Sequence, residues 1–239
     1  MSQTLKRFWK KVDVVSDEIH GGYEVRLDGR PFRLPGGHAL ILGSRALAEA
    51  IADEWRQIAP DAAFRTAELP LTQMAGTQIE RISPDKAQII GGLMAYGESD
   101  LLCYRATGQL GAEQDAAFDP VLVLFEARYG IRPPVTRSLL PLGDGLKVSE
   151  AYALALSRFD DAALTCAAIC APATGSLILA IGLADSWVDA ESACAMASLE
   201  ERYQMAQWGE DEAILQEIDR NARDIKDALR FVALSHEKA

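Results

Sequence analysis

The sequence predicts an α+β fold in which a small, mostly antiparallel β domain precedes an all-α orthogonal helical bundle. Apolar and polar residues alternate in the first forty or so residues, as they do in half-buried strands. From residue 70 onward, apolar residues recur at helical spacing between capping residues and prolines. We therefore expect a β-rich domain with one covering helix over residues 1–70, and a helical domain over residues 71–239.

The alternating region predicts a short antiparallel meander. Asp28-Gly29 lies between two alternating runs and is a strong signal for a two-residue hairpin. So few strands are not stable without a covering element. The four predicted strands cover residues 12–14, 23–27, 32–34 and 39–42.

A helix that can cover one face of this sheet follows directly. Ser44 is predicted to cap it, and Pro60 to end it. Its apolar residues fall on one stripe, at i, i+4, i+8 and i+11. They are Leu47, Ile51, Trp55 and Ile58. A further strand or extended crossover is expected over residues 62–69.

The rest of the chain is predicted to be helical, with short links between the helices. Asp160 is a predicted N-cap, and the apolar run from Thr174 to Ala184 predicts the most buried helix. The other predicted helices run from Leu71 to Arg81, from Ser83-Pro84, from Asp119-Pro120 to Gly130, from Ser149 to Phe159, from Ser186 to Gln207 and from Asp211 to Leu234.

Composition narrows the class of partner. The formal net charge is −11, which argues against nucleic acid or an anionic membrane surface as the main partner and permits a basic protein. No apolar run is long enough to span a bilayer. The basic N-terminal residues lack the apolar segment of a presequence. We expect a bacterial cytoplasmic protein, or one of the mitochondrial matrix if the source is eukaryotic.

Motifs for cofactors, metals and nucleophiles are missing. Four cysteines occur without C-x-x-C spacing, so we expect free thiols, a reducing compartment, no metal and no cofactor. Neither a phosphate-binding loop nor a nucleophile elbow is present. Cys166 and Cys170, at i and i+4, are expected to share a buried helix face.

One polar cluster leaves catalysis open as an alternative. Asp100, Tyr104 and Arg105 could form a structural ion pair or cap, or could act as acid and base on a small molecule in a cleft between the domains. A stable structural subunit of a larger complex is a third possibility. In the β domain, Glu54 is expected to pair with Arg26 or Arg33.

The segment from Leu199 to Glu212 is the most informative part of the chain. It predicts the end of one helix, a tight link and the start of another, with carboxylates around one tyrosine and one tryptophan. Such a surface suits protein binding. Each feature also has a structural alternative. The carboxylates could form a solvated acidic face, Trp208 could be wedged between the last two helices, and Glu201 could form a local ion pair or cap.

The chain resembles the ATP synthase F1 assembly chaperones, in the branch that handles the alpha subunit. The similarity extends over nearly the whole chain, in segments that occur in the family's order. These are Arg7–Val12, Leu27–Pro31, Leu47–Trp55, Leu69–Gln73, Asp100–Arg105, Phe118–Pro120, Gly175–Leu177, and Glu201–Gln204 followed by Trp208-Gly209.

The resemblance implies a two-domain, monomeric chaperone without catalysis. It implies transient binding of the unassembled alpha subunit, which would prevent aggregation until that subunit pairs with beta. An isolated alpha subunit exposes surface that the hexamer buries, and such surface promotes aggregation. The expected binding surface has Glu201 as its leading residue. Its other members are Glu200, Tyr203, Trp208, Glu210 and Glu212.

Overall fold

The computed structural model describes residues 4–19, 21–138 and 146–237. The chain forms two compact units: an N-terminal unit of Met1–Asp85 with Arg230–Ala239, and a helical unit of Lys86–Leu229. Antiparallel strands near the N-terminus and helices after them confirm the predicted α+β class. The predicted domains, residues 1–70 and 71–239, stay a prediction. Compact units within one folded chain do not show which parts of the chain fold independently.

Two small antiparallel sheets form the β part of the N-terminal unit. In the larger sheet β3 is central and pairs with β2, β4 and β5. Asp28 and Gly29 join β3 to β4 with φ of 50° and 78°, which confirms the predicted two-residue hairpin. In the smaller sheet β1 pairs with β6. The strands are β1 Thr4–Lys6, β2 Val12–Asp17, β3 Gly22–Leu27, β4 Arg30–Pro31, β5 Ile41–Leu42 and β6 Ala63–Arg65.

Helix α1, Arg45–Gln57, covers the sheet as predicted. The Ser44 hydroxyl accepts a hydrogen bond from Leu47 N at 3.4 Å, and the whole predicted stripe is buried. The Trp9 and Trp55 rings pack edge to face, with centroids 4.9 Å apart. Trp55 Nε1 donates to the Thr72 hydroxyl at 3.0 Å. Burial of these rings supplies much of the apolar core of the unit.

The predicted pairing of Glu54 with a strand arginine is wrong. Helix α2, Pro70–Thr77, begins against α1, and its first N–H groups have no acceptor within the helix. The Glu54 carboxylate accepts from Leu71 N at 2.7 Å and from Thr72 N at 3.0 Å. Arg26 pairs with Glu24 instead, at 2.8 Å. A half-buried carboxylate is stabilised by the free N–H groups and the positive end of the dipole at a helix N-terminus. Here this interaction takes the place of an ion pair with a strand arginine.

The helical unit is built around one short buried helix. Each residue of α7 is buried, and the Ser176 hydroxyl caps it by accepting from Leu179 N at 3.0 Å. Asp160 caps α6 as predicted, accepting from Ala163 N at 2.8 Å. The helices are α3 Lys86–Glu98, α4 Gly108–Tyr129, α5 Leu146–Ser157, α6 Asp161–Thr174, α7 Leu177–Ala184, α8 Ala190–Ala197, α9 Leu199–Trp208 and α10 Glu212–His236.

The predicted helix start at Asp119-Pro120 is wrong, because Pro120 lies inside α4. Proline in a helix interior removes one hydrogen bond and costs about 3 kcal/mol. Core residues on both sides of Pro120 stabilise the continuous helix despite that cost. They include Phe118 before the proline and Leu122 and Phe125 after it. The predicted end is confirmed, since Gly130 has φ of 72° at the C-cap.

Other predicted helix boundaries also differ from the structure. α3 starts at Lys86, after a turn that contains Ser83-Pro84. Ser149 lies within the first turn of α5 and does not precede it. The predicted helix over residues 186–207 is two helices, because the chain leaves helical geometry at Ser198. In the described residues, no helix combines the length and the apolar character needed to cross a membrane.

Candidate functional site

The segment Glu200–Glu212, which we call the acidic corner, has the predicted helix–link–helix arrangement. Helix α9 ends at Trp208, and the C-cap Gly209 follows with φ of 101°, which lets the chain turn; the Gly209 N–H donates to Met205 O at 2.9 Å. The Asp211 carboxylate then caps α10, accepting from Ala213 N at 2.8 Å. The corner therefore contains two fixed helix ends joined by a three-residue link.

Trp208 is 81% exposed, so the interpretation of it as a wedge between helices is wrong. It is the last residue of α9, and Met205, one turn earlier, supplies the buried contact of that helix. A tryptophan is largely buried in most proteins, and an exposed one costs solvation free energy that binding can recover. The ring is therefore available to a partner.

The carboxylates of the corner are also exposed. Glu200 accepts from Gln204 Nε2 at 3.1 Å, and Glu212 accepts from Gln216 Nε2 at 3.1 Å. Among the described residues, no hydrogen bond or ion pair reaches the Glu201 carboxylate, so no local ion pair or cap is seen for it. Glu210 is exposed in the link, and Tyr203 is half-buried.

Two adjoining cavities lie beside the corner, where α8 and α9 face α10. The smaller one, which we call the corner pocket, has a volume of about 280 Å³ and includes Glu201 in its wall. The larger one, of about 1040 Å³, includes Arg202 and Tyr203. Both cavities share four lining residues. These are Cys194, Ser198, Ile218 and Ala222.

The sequence interpretation missed the contribution of α10 to this site. Four residues of α10 line the corner pocket at intervals of three and four residues. They are Ile214, Glu217, Asn221 and Ile225. Side chains at those spacings lie on one helix face. The periodicity could have placed them together, although it could not show that this face of α10 lines a cavity.

Asp100 is used by the fold as a cap. Its carboxylate is fully buried and accepts from Ser176 Oγ at 2.7 Å, Ile178 N at 2.9 Å and Leu102 N at 3.0 Å. It therefore joins the N-terminus of α7 to the turn Leu101–Cys103. The structural alternative for this residue is the one that the geometry supports.

The Arg105 side chain is also occupied by hydrogen bonds within the fold. Its buried guanidinium donates to Leu102 O at 2.9 Å, to Asp115 at 3.0 Å and to Asp119 at 3.1 Å. Tyr104 forms a backbone bridge with Thr136. A general acid or base must reach a substrate atom. The arrangement of Asp100 and Arg105 gives no support to the small-molecule enzyme alternative.

Burial raises the pKa of the Asp100 carboxyl to about 6, against an ordinary value of 3.8. Between about pH 4 and pH 6 the Asp100 carboxyl is protonated in the folded protein and ionised in the unfolded chain. The contribution of this group to the unfolding free energy therefore falls as the pH rises through that range. Between pH 5 and 7.5 we expect the wild type to lose about 1 kcal/mol more unfolding free energy than Asp100→Asn. Urea unfolding at both pH values measures this, and equal losses in the two proteins would contradict it.

Cysteines and metal-binding groups add no reactive site to this description. The four cysteines are free thiols. Cys166 Sγ and Cys170 Sγ lie 3.8 Å apart on one buried face of α6, as predicted. Burial raises the pKa of the Cys103 thiol to about 12, which keeps it protonated and unreactive near neutral pH. Within residues 4–19, 21–138 and 146–237, no three His, Cys, Asp or Glu side chains form a group that could hold a metal ion.

Comparison with known proteins gives consistent matches. The family described as ATP12 chaperone protein matches residues 6–126. The protein named ATP12, mitochondrial, from Saccharomyces cerevisiae is 29% identical over 119 residues, which are 46% of this chain and 36% of the yeast protein. The match therefore spans about a third of that relative's length.

Two solved structures are similar over most of their length. The crystal structure of Atp12 from Paracoccus denitrificans has a TM-score of 0.87 and 30% identity, and the match covers 97% of this chain and 98% of that one. The Atu1473 protein from Agrobacterium tumefaciens has a TM-score of 0.88 and 33% identity, with 96% and 86% covered.

Proposed function

Because this chain belongs to the family of ATP12 chaperone proteins, we propose that it assists assembly of the F1 sector of ATP synthase. Its client is the unassembled alpha subunit, which it binds transiently and keeps from aggregating until beta arrives. It acts as a monomer and without catalysis, in the bacterial cytoplasm or the mitochondrial matrix.

The observation that carries this proposal is the exposed Trp208 among exposed carboxylates. A large aromatic side chain surrounded by charge is typical of binding hot spots. The six members of the proposed binding surface lie within one helix–link–helix segment, and Glu201 has no competing partner there. The surface is partly polar, which suits a partner that must later be released.

The distribution of charge along the chain supports the same surface. Residues 1–85 contain 11 Lys and Arg against 12 Asp and Glu, whereas residues 86–229 contain 11 against 22. The helical unit therefore carries the whole net charge of −11. Such a field favours encounter with a basic surface and weakens as salt screens it.

A pull-down from the source cell after partial depletion of the beta subunit tests the proposal. We expect the alpha subunit to be the main captured protein, because depletion of beta leaves it unassembled. Trp208→Ala should reduce the captured amount about tenfold or more, as loss of a hot-spot aromatic does. It should leave the unfolding free energy within about 0.5 kcal/mol, because the ring is exposed.

Phe8→Ala, an aromatic of the N-terminal unit that is 79% exposed, is the matched control and should not reduce capture. Capture of alpha to an equal extent by wild type and Trp208→Ala would remove Trp208 from the surface. Absence of alpha from the captured material would contradict the proposed client.

A further inference from the structure

We propose that the corner pocket receives one basic side chain, an arginine or a lysine, from the bound partner. This inference rests on the proposed function and adds to it the chemistry of the first contact. The pocket is formed by α6, α8, α9 and α10 of the helical unit. Its size, its lining and its charge each limit what it can hold.

The size of the pocket fits one long side chain. Its volume of about 280 Å³ lies just below the roughly 300–1,000 Å³ of pockets that hold whole small molecules. The pocket therefore matches one long side chain better than a larger ligand.

The apolar part of the lining suits an aliphatic stem. Ile218 and Ile225 are buried residues of α10, and Ala173 of α6 belongs to the same pocket wall. Lysine and arginine bury their methylene stems on such surfaces and keep the charged head near water. Aspartate and glutamate have shorter stems, and their charge has the same sign as the two carboxylates in the wall.

The polar part of the lining suits a positive head group. Glu201 from α9 and Glu217 from α10 contribute two carboxylates to the wall, and Asn221 adds an amide. No lysine, arginine or histidine is among the residues that line the pocket. The wall itself therefore offers a cation two carboxylates and no positively charged side chain.

The nearest basic residue in sequence is not part of the pocket wall. Arg202 follows Glu201, and its Nε is occupied by a hydrogen bond to Ser198 Oγ at 3.0 Å, while its side chain lines the larger cavity. Arg220 approaches Glu217 at 3.9 Å, with both side chains more than 60% exposed. Such an exposed pair is weak and leaves Glu217 available.

The pocket can be tested directly with small probes on the intact protein. N-acetyl-arginine amide carries the stem and the charge, and N-acetyl-norleucine amide carries a stem alone. In methyl NMR spectra, millimolar arginine amide should shift the methyl signals of Ile214, Ile218 and Ile225. Norleucine amide should shift them at least fivefold less. The double variant Glu201→Gln with Glu217→Gln should lose the response to arginine amide.

A cavity-filling variant then links the pocket to the partner. Ala173→Leu places a larger side chain in the wall without changing any charge. It should weaken alpha-subunit binding about tenfold or more. Ala127→Leu, an exposed change on α4, is the matched control and should bind as wild type does. If Ala173→Leu fails to fold, the probe titration on the wild type decides the question.

The outcomes separate the inference from the function on which it rests. Failure of arginine amide to shift the pocket signals, or equal shifts with norleucine amide, would overturn the basic-side-chain assignment. So would normal alpha binding by a folded Ala173→Leu protein. A wild type that takes up arginine amide and does not bind alpha would contradict the proposed function and leave the pocket assignment standing.

Discussion

Glu201→Lys is expected to abolish capture of the alpha subunit while leaving the folded protein almost unchanged. The Glu201 side chain is exposed and makes no contact that the fold requires. Surface changes of this kind shift unfolding free energies by about 0.5 kcal/mol or less. A lysine there reverses the charge that would face a basic partner surface, which reduces the association rate and costs several kcal/mol of affinity. Thermal unfolding and an alpha-binding titration measure the two effects.

Glu150→Lys is the matched control for this variant. Glu150 is an exposed residue of α5, and the substitution changes the net charge of the helical unit by the same amount. It should bind alpha nearly as well as the wild type. A folded Glu201→Lys protein that still binds alpha would show that the binding surface lies elsewhere. A Glu201→Lys protein that unfolds would show that Glu201 is structural.

Asp100→Ala should be the most destabilising single change considered for this chain. The substitution leaves one hydroxyl donor and two backbone N–H donors without their acceptor inside the helical unit. Each buried donor without a partner costs about 1–3 kcal/mol. We expect the unfolding free energy to fall by about 3–5 kcal/mol, measured by urea unfolding at pH 7.5.

Asp189→Ala is the comparison for that change. Asp189 caps α8 with an exposed carboxylate, and loss of an exposed cap costs about 1 kcal/mol. The folded fraction of Asp100→Ala should still bind alpha with normal affinity, because Asp100 caps an internal turn and helix. Equal destabilisation by the two variants would contradict the role that the geometry gives Asp100.

Local signals predicted the hairpin, the covering helix and its cap in the N-terminal unit, whereas the predicted third strand at residues 32–34 is wrong, since β4 lies at Arg30–Pro31. The Asp28-Gly29 hairpin requires two residues that tolerate positive φ, and the sequence supplies them. The stripe on α1 and the cap at Ser44 depend on spacing within one helix, so they can be seen in the chain alone. The same holds for Asp160, whose partner Ala163 is three residues away.

Features that depend on contacts between residues far apart in the sequence could not be predicted. Pro120 would end an isolated helix, and only the packing of Phe118 and Leu122 against the rest of the unit keeps α4 continuous. Glu54 acts on α2 through a contact between separate elements. The carboxylates of the acidic corner were visible in the sequence, but the pocket that Glu201 shares with Glu217 requires α9 and α10 in place.

Aggregation of the isolated alpha subunit, followed by light scattering, is the most direct test of the chaperone function. Unfolded alpha subunit is diluted into buffer with an equimolar amount of this protein, and beta subunit is added later. We expect wild type to suppress scattering, Glu201→Lys to leave it unchanged, and added beta to recover assembled alpha–beta complexes. If the alpha subunit scatters light equally with and without the wild-type protein, that result contradicts the proposed chaperone function.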